Sequence, residues 1–289
     1  MADFNNFNNG DSGSFDSGNY NNGSYDGGNY SDGRGNYTFD NYDMGAGTTR
    51  TAYYGEETAA PTESLSAYTA KTYLWMFAGL MVTFVISLAM VFSGGVFNLL
   101  SGAGSLALFG VLIAQLVVVG ILSARVRKLS VGGARAMFLL YAALNGVAFS
   151  VYFVYFNLSI LILAFGATAL LFGGMALASL VFHLQLDTIR PILFGGLIMM
   201  ILFGILSFFL NLGVFNTVLC YVGIALFMGY TAYDTSKIKD NYNYYATIGD
   251  TAMLEKASVF SALQLYLDFV NLLLYIIRLF ARSSGSRKN

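Results

Sequence analysis

From Lys71 onward the chain alternates long apolar stretches with short polar gaps. About 20 apolar residues suffice to cross the hydrocarbon core of a bilayer, and the pattern predicts seven such helices, over 73–92, 106–124, 136–156, 160–182, 192–211, 214–234 and 259–280. The last differs from the others. Ser261, Gln264, Asp268, Asn271, Tyr275 and Arg278 recur along it at steps of three and four, which holds them on a single helical face among Leu, Val, Ile and Phe. A polar stripe of this kind cannot face lipid, so the last helix is expected at the centre, surrounded by the others.

Up to about Pro61 the pattern is absent. The segment "FNNFNNGDSGSFDSGNYNNGSYDGGNYSDGRGNYTFDNYD" repeats Asn, Gly, Ser and Asp, punctuated by Tyr or Phe, and lacks the aliphatic residues needed to offset the entropy of ordering. The domain reading is a disordered, acidic tail over 1–64 and a seven-helix membrane domain over 65–289. The tail is not a signal peptide, since a basic start followed by an apolar core is missing.

Composition agrees with an all-α, multi-pass membrane protein. Of 289 residues 56% are hydrophobic and only 11% charged, and the mean hydropathy is +0.60, against about 25% charged residues in a soluble domain. The tail holds ten acids against Arg34 and Arg50, whereas the remainder holds six acids against thirteen bases; neither balance points to nucleic acid. Cys220 is the only cysteine, which excludes an intrachain disulfide and a cysteine metal cluster.

Charge also orients the spans. The gaps at 93–105, 157–159 and 212–213 contain no Lys or Arg, whereas the others carry Arg125, Arg127, Lys128 and Arg135, then Arg190, then Lys237, Lys239 and Lys256. The positive-inside rule places these basic loops and the tail on the cytoplasmic side. Seven crossings then leave Arg278, Arg282, Arg287 and Lys288 on the far side, against the rule. Either the last segment re-enters or its crossing is dictated by packing; its length and the lack of a helix breaker favour crossing.

The candidate chemistry lies in two acids. An aspartate at the centre of a membrane helix costs roughly 2.5 to 3.5 kcal/mol on insertion scales, so Asp268 is a functional candidate. Near the end of the sixth span, "FMGYTAYDTSKIKD" puts Tyr230, Asp234 and Lys237 on one face. Thr251 is the midpoint between positions 234 and 268. If both helices extend comparably into that loop, the two carboxyls arrive at the same depth. Two carboxyls close together in a poorly solvated site cannot both ionise cheaply and share a proton. With that proton they join two helices; without it they repel and become hard oxygen ligands suited to transient Ca²⁺. Protonation would close a path and deprotonation open it. The competing reading leaves Asp234 merely interfacial and Asp268 neutral or paired with Arg.

The same residues carry a family resemblance. "AYDTSKIKD", followed by "SALQLYLDFVNLLLYIIRLF", resembles the signature of the Bax inhibitor-1 family, including its bacterial YccA-like members, over about residues 70–280. The resemblance implies seven helices with the last one central, and a pH-sensitive Ca²⁺ leak in members where transport is described. It also implies a paired-aspartate sensor at Asp234 and Asp268, and a basic latch at the end of the second helix. The best match for the latch is Arg125 in "SARVRK", with Arg127 and Lys128 nearby. Some members carry an acid about ten residues earlier, where this chain has Gln115.

Other signals come to little. His183, near Gln185 and Asp187, suits an interface better than a metal site, and no HExxH motif or phosphate-binding loop is present. Gly173, Gly174, Gly195 and Gly196 are expected to let helices approach closely, and Asn145 to serve core packing. The leading reading is a non-enzymatic cation leak channel or exchanger for Ca²⁺ and protons, without cofactor. It is gated by Asp234 and Asp268, with Arg125 as counter-ion and with Ser261, Gln264, Asn271 and Tyr275 lining the path. The alternative is a membrane-embedded regulator of a protease or of a cell-death factor, acting through its tail. Its membrane would be the inner membrane of a bacterium, or the endoplasmic reticulum of a eukaryotic cell.

Overall fold

The computed structural model describes residues 63–286 except 102–103, 126–127, 183–185 and 211–212, together with 30–31 and 36–37. In the unit 1–56, Tyr30–Ser31 (β1) pairs antiparallel with Asn36–Tyr37 (β2), Tyr30 opposite Tyr37. Of the tail expected to be disordered over 1–64, Glu63 and Ser64 are also described, at the start of the helical unit, and the remaining residues lie outside the described ones.

In the unit 57–289 the described residues are almost all helical. Its described helices are α1 (Leu65–Phe92), α2 (Gly95–Leu100), α3 (Gly104–Arg125), α4 (Val131–Tyr155), α5 (Leu158–Phe182), α6 (Arg190–Leu210), α7 (Gly213–Ile248) and α8 (Thr251–Ser286), with a 3₁₀ turn Asp187–Ile189 before α6. All but α2 are long and apolar enough to cross a membrane. Outward side chains such as Leu74, Phe77, Phe109, Leu116, Leu170 and Ile192 stay exposed, as lipid-facing positions require.

Local chemistry sets the helix starts. Ser64 Oγ accepts from the Ala67 amide at 3.2 Å, Ser130 Oγ from Gly133 at 3.0 Å and Asp250 Oδ1 from Met253 at 2.8 Å. Each side chain satisfies one of the amides that the first turn leaves without a partner.

The seven expected spans are present, but two are much longer than their apolar runs. α7 and α8 have 36 residues each, about 54 Å at 1.5 Å per residue. The basic stretch expected as a loop is helical almost throughout. It bends only at Gly249 and Asp250, where Gly249 adopts a φ of 72° that a side chain would oppose. The gap at 93–105 likewise contains the short α2. α8 runs without a break, which favours a crossing over a re-entrant turn.

α8 is the core of the bundle. In its most apolar window 67% of residues are buried, against 17–28% in the other spans, and α1, α4, α5 and α7 pack around it. α3 packs on α4 and α6 on α7, at the periphery. Phe165 and Phe172 of α5 both meet Phe269 edge to face at 5.5 Å, while Phe138 of α4 meets Tyr266 at 5.8 Å.

A buried relay ties α8 to α1 and α4. Thr83 Oγ1 lies 2.9 Å from the Ala142 carbonyl, 3.0 Å from that of Gly79 and 2.7 Å from Tyr266 Oη. Its single proton goes to a carbonyl, so the Tyr266 hydroxyl donates to Thr83. Ser87 donates to the Gly146 carbonyl at 2.8 Å. This approach needs a glycine, because a Cβ at Gly146 would stand 2.8 Å from the Thr83 carbonyl oxygen. Of the glycines expected to bring helices together, only Gly196 does so, against Leu226. Gly173, Gly174 and Gly195 face open space, since nothing packs over them. Asn145 donates within its own helix, to the Tyr141 carbonyl at 3.2 Å.

Candidate functional site

The seam between α7 and α8 repeats every seven residues. Asn241 Nδ2 donates to Ser261 Oγ at 3.1 Å; seven residues further on, the Asp234 and Asp268 carboxyls lie within hydrogen-bonding reach; seven further, Phe227 stacks on Tyr275 at 6.0 Å. Two antiparallel helices joined by a tight turn keep a constant register, and a seven-residue step returns each side chain to the seam. The turn falls close to the midpoint of positions 234 and 268, which brings the two acids to one depth.

Both aspartates are buried, at 7% and 4% exposure, and among the described residues neither has a cation against it. Oδ2 of Asp268 has no hydrogen-bond partner among the described residues. An ionised carboxylate only accepts, so a hydrogen bond between two carboxyls requires one proton between them. Tyr230, one turn before Asp234, is close enough to feel the charge of both acids.

Asp234 also lines a cavity of about 750 Å³ that faces the basic loops. Tyr230, Lys237, Asn241, Gln264 and Arg190 share its wall, and Asp268 does not. Asp234 is therefore on the wall of this basin, and Asp268 lies behind it. Arg125 is the last residue of α3 and is exposed. Ser123, two residues before it, lines the cavity, which sets Arg125 near the rim rather than against the acids. Lys128 is exposed in the following turn, and Arg127 and His183 lie outside the described residues.

The stripe of α8 meets several surroundings. Ser261 is buried, Gln264 faces the basin, and Asn271 donates to the Leu267 carbonyl at 2.8 Å on its own helix. Tyr275 lies over Gly223, where a Cβ would meet its ring at 2.8 Å, and Arg278 emerges exposed with its guanidinium 5.5 Å from the Tyr275 ring. Among the described residues no group of three or more His, Cys, Asp or Glu could hold a metal.

Two features escaped the sequence reading. Asn241 belongs to the seam, and its seven-residue spacing from Asp234, mirrored by Ser261 before Asp268, was the available signal. The second is an ion cluster on the basic-loop side. Glu255 accepts from Lys71 at 2.6 Å and from Arg135 at 2.5 Å, Lys71 also reaches Glu63 at 2.6 Å, and Arg135 lies 5.3 Å over Trp75. It ties the starts of α1, α4 and α8 together. No local pattern marks it, because its members come from three separated segments.

A seven-span helical membrane protein with a central last helix and a buried acid pair beside it is the class that this geometry defines. The chain belongs to the Bax inhibitor-1 family: residues 65–285 match the family model described as inhibitor of apoptosis-promoting Bax1. It is 36% identical over 220 residues to the inner membrane protein YbhL of Escherichia coli K12, covering 76% of this chain and 93% of that one. An uncharacterized protein of Deinococcus radiodurans is 31% identical over 217 residues, covering 75% and 91%. One of Borreliella burgdorferi is 29% identical over 222 residues, covering 77% and 93%.

Proposed function

We propose that this protein is a pH-sensitive cation leak pathway, with Ca²⁺ as the ion carried and Asp234 and Asp268 as its proton-sensitive gate. The observation that carries the reading is the buried contact of two carboxyls with no cation against them among the described residues, one of them lining a basin. With one proton the pair is a hydrogen bond that clamps α7 to α8. When the proton leaves, two carboxylates in a site of low dielectric repel strongly, and the seam parts at that level.

The opened pair offers at most four carboxylate oxygens, short of the six to eight ligands that Ca²⁺ takes. It therefore serves as a point of passage, with water completing the shell, rather than as a storage site. Arg190 on the basin wall disfavours cations at the mouth, which suits a leak rather than a fast channel. Arg125, near the rim, acts as a latch only if α3 moves inward. The relative named as an inner membrane protein supports the same location for this chain.

Ca²⁺ flux into liposomes holding the purified protein, between about pH 5 and pH 8, tests the reading. Flux that rises with pH in the wild type and loses that dependence in Asp268→Asn supports it. No flux at any pH from a folded protein rejects it.

A further inference from the structure

The basin beside the acid pair carries both signs of charge and an apolar lining. Asp234 of α7 and Arg190, the first residue of α6, are both on its wall. The packing of the two helices sets their heights. A Cβ on Gly229 would stand 2.9 Å from Leu193, and one on Gly196 would stand 2.8 Å from Leu226. Three residues forward along α6 therefore correspond to three residues back along α7, and the same step before Leu193 brings Arg190 opposite Ala232. Asp234 is two residues further, about 3 Å along the axis. The carboxyl and the guanidinium thus border one basin at nearly one height, on adjacent helices.

Lys237 is the other cation on the wall, and it donates to Asp240 at 2.9 Å on its own helix. The rest of the lining divides by chemistry. Asn241 and Gln264 supply neutral polar groups, while Leu193 and Phe194 of α6 and Met253 and Phe260 of α8 supply an apolar side. A volume of about 750 Å³ suits a small organic molecule.

A carboxyl that shares one proton with a neighbour still accepts from an ammonium, since its oxygens keep further lone pairs. A guanidinium has five N–H donors in a fork that matches a carboxylate, so a hydrogen bond elsewhere on the group leaves donors for a ligand. Neither sign alone suits the basin: a simple cation meets Arg190, and a simple anion meets Asp234. A molecule that carries both groups on an apolar body fits all three surfaces.

We propose that the basin binds a free α-amino acid with an apolar side chain, its ammonium on Asp234, its carboxylate on Arg190 and its side chain against Phe194 and Phe260. The site shares Asp234 with the proposed gate and does not rest on the leak, because binding is read without flux.

Binding to the full-length protein in nanodiscs is measured by titration calorimetry with L-phenylalanine, with phenethylamine, which lacks the carboxylate, and with phenylpropionate, which lacks the ammonium. The wild type is expected to bind phenylalanine roughly tenfold or more tightly than either analogue, as charge-assisted hydrogen bonds require. Arg190→Gln should lower the affinity for phenylalanine to that for phenethylamine and leave phenethylamine unchanged. Asp234→Asn should lower it to that for phenylpropionate and leave phenylpropionate unchanged. A variant that fails to fold loses all three probes together, and the wild-type series then decides alone. Equal affinity for the three probes, or no saturable binding of phenylalanine by the folded wild type, overturns the proposal. Phenethylamine bound as tightly as phenylalanine also overturns it and assigns the basin to organic cations.

Discussion

Tyr275 stacks on Phe227 with 27° between the ring planes, one heptad along the seam from the contact of Asp234 with Asp268. The rings lie between the acid pair and a cavity on the far side, in which Tyr275 also takes part. Gly223 lets the Tyr275 ring settle against α7. If the proposed leak follows this seam, the stack is where it would be sealed.

Removing that seal should raise the leak. An aromatic pair contributes about 0.5 to 1.5 kcal/mol beyond its buried area, so Tyr275→Ala is expected to increase Ca²⁺ flux roughly two- to tenfold. The increase should be largest at high pH, where the acid pair is open and the stack is the remaining barrier. A liposome assay at two pH values checks this; unchanged flux would move the seal elsewhere.

Asp234→Asn should remove the pH response from the basin side. An amide still donates to the Asp268 carboxyl, so the helices remain joined without a shared proton. The sign follows from the proposed gate: wild-type flux is expected to rise as pH rises and the proton leaves, whereas in the variant it should stay low and flat. Flux measured across the same pH range decides.

Glu255→Gln addresses the ion cluster. The change leaves Lys71 and Arg135 without their common carboxylate, yet its members are 22–38% exposed, and such pairs contribute about 0 to 1 kcal/mol each. A modest loss of thermal stability is expected, shrinking as salt is raised, with the pH dependence of flux intact. A loss of that dependence would tie the cluster to gating.

Gly146→Val tests the close approach of α1 and α4. Its side chain would have to displace the Thr83 carbonyl or Ile86, and overpacking of this kind costs roughly 1 to 3 kcal/mol. Thermal unfolding in detergent should show a clear drop. Gly173→Ala, in open space, should show none.

The sequence by itself determined the seven spans, because long apolar runs can be satisfied only by bilayer or core. It also determined that α8 is central, because the stripe from Ser261 to Arg278 could not be left in lipid. Asp234 and Asp268 could be picked out as the lone acids of the sixth and last apolar spans, and the tight turn midway between them made their meeting a matter of register.

Only the tertiary structure decided what the other candidates touch. Arg125 stands near the rim rather than against the acids, since the packing of α3 on α4 leaves its end outside the seam. Gly146 and Gly223 look no different in sequence from Gly173 and Gly174, and what separates them is whether a neighbouring helix passes overhead. Glu255, Lys71 and Arg135 meet because three helix starts converge, and Arg278 and Arg282 gain a cavity because three helix ends do. Periodicity records which face of a helix is polar; which partner that face meets depends on residues far along the chain.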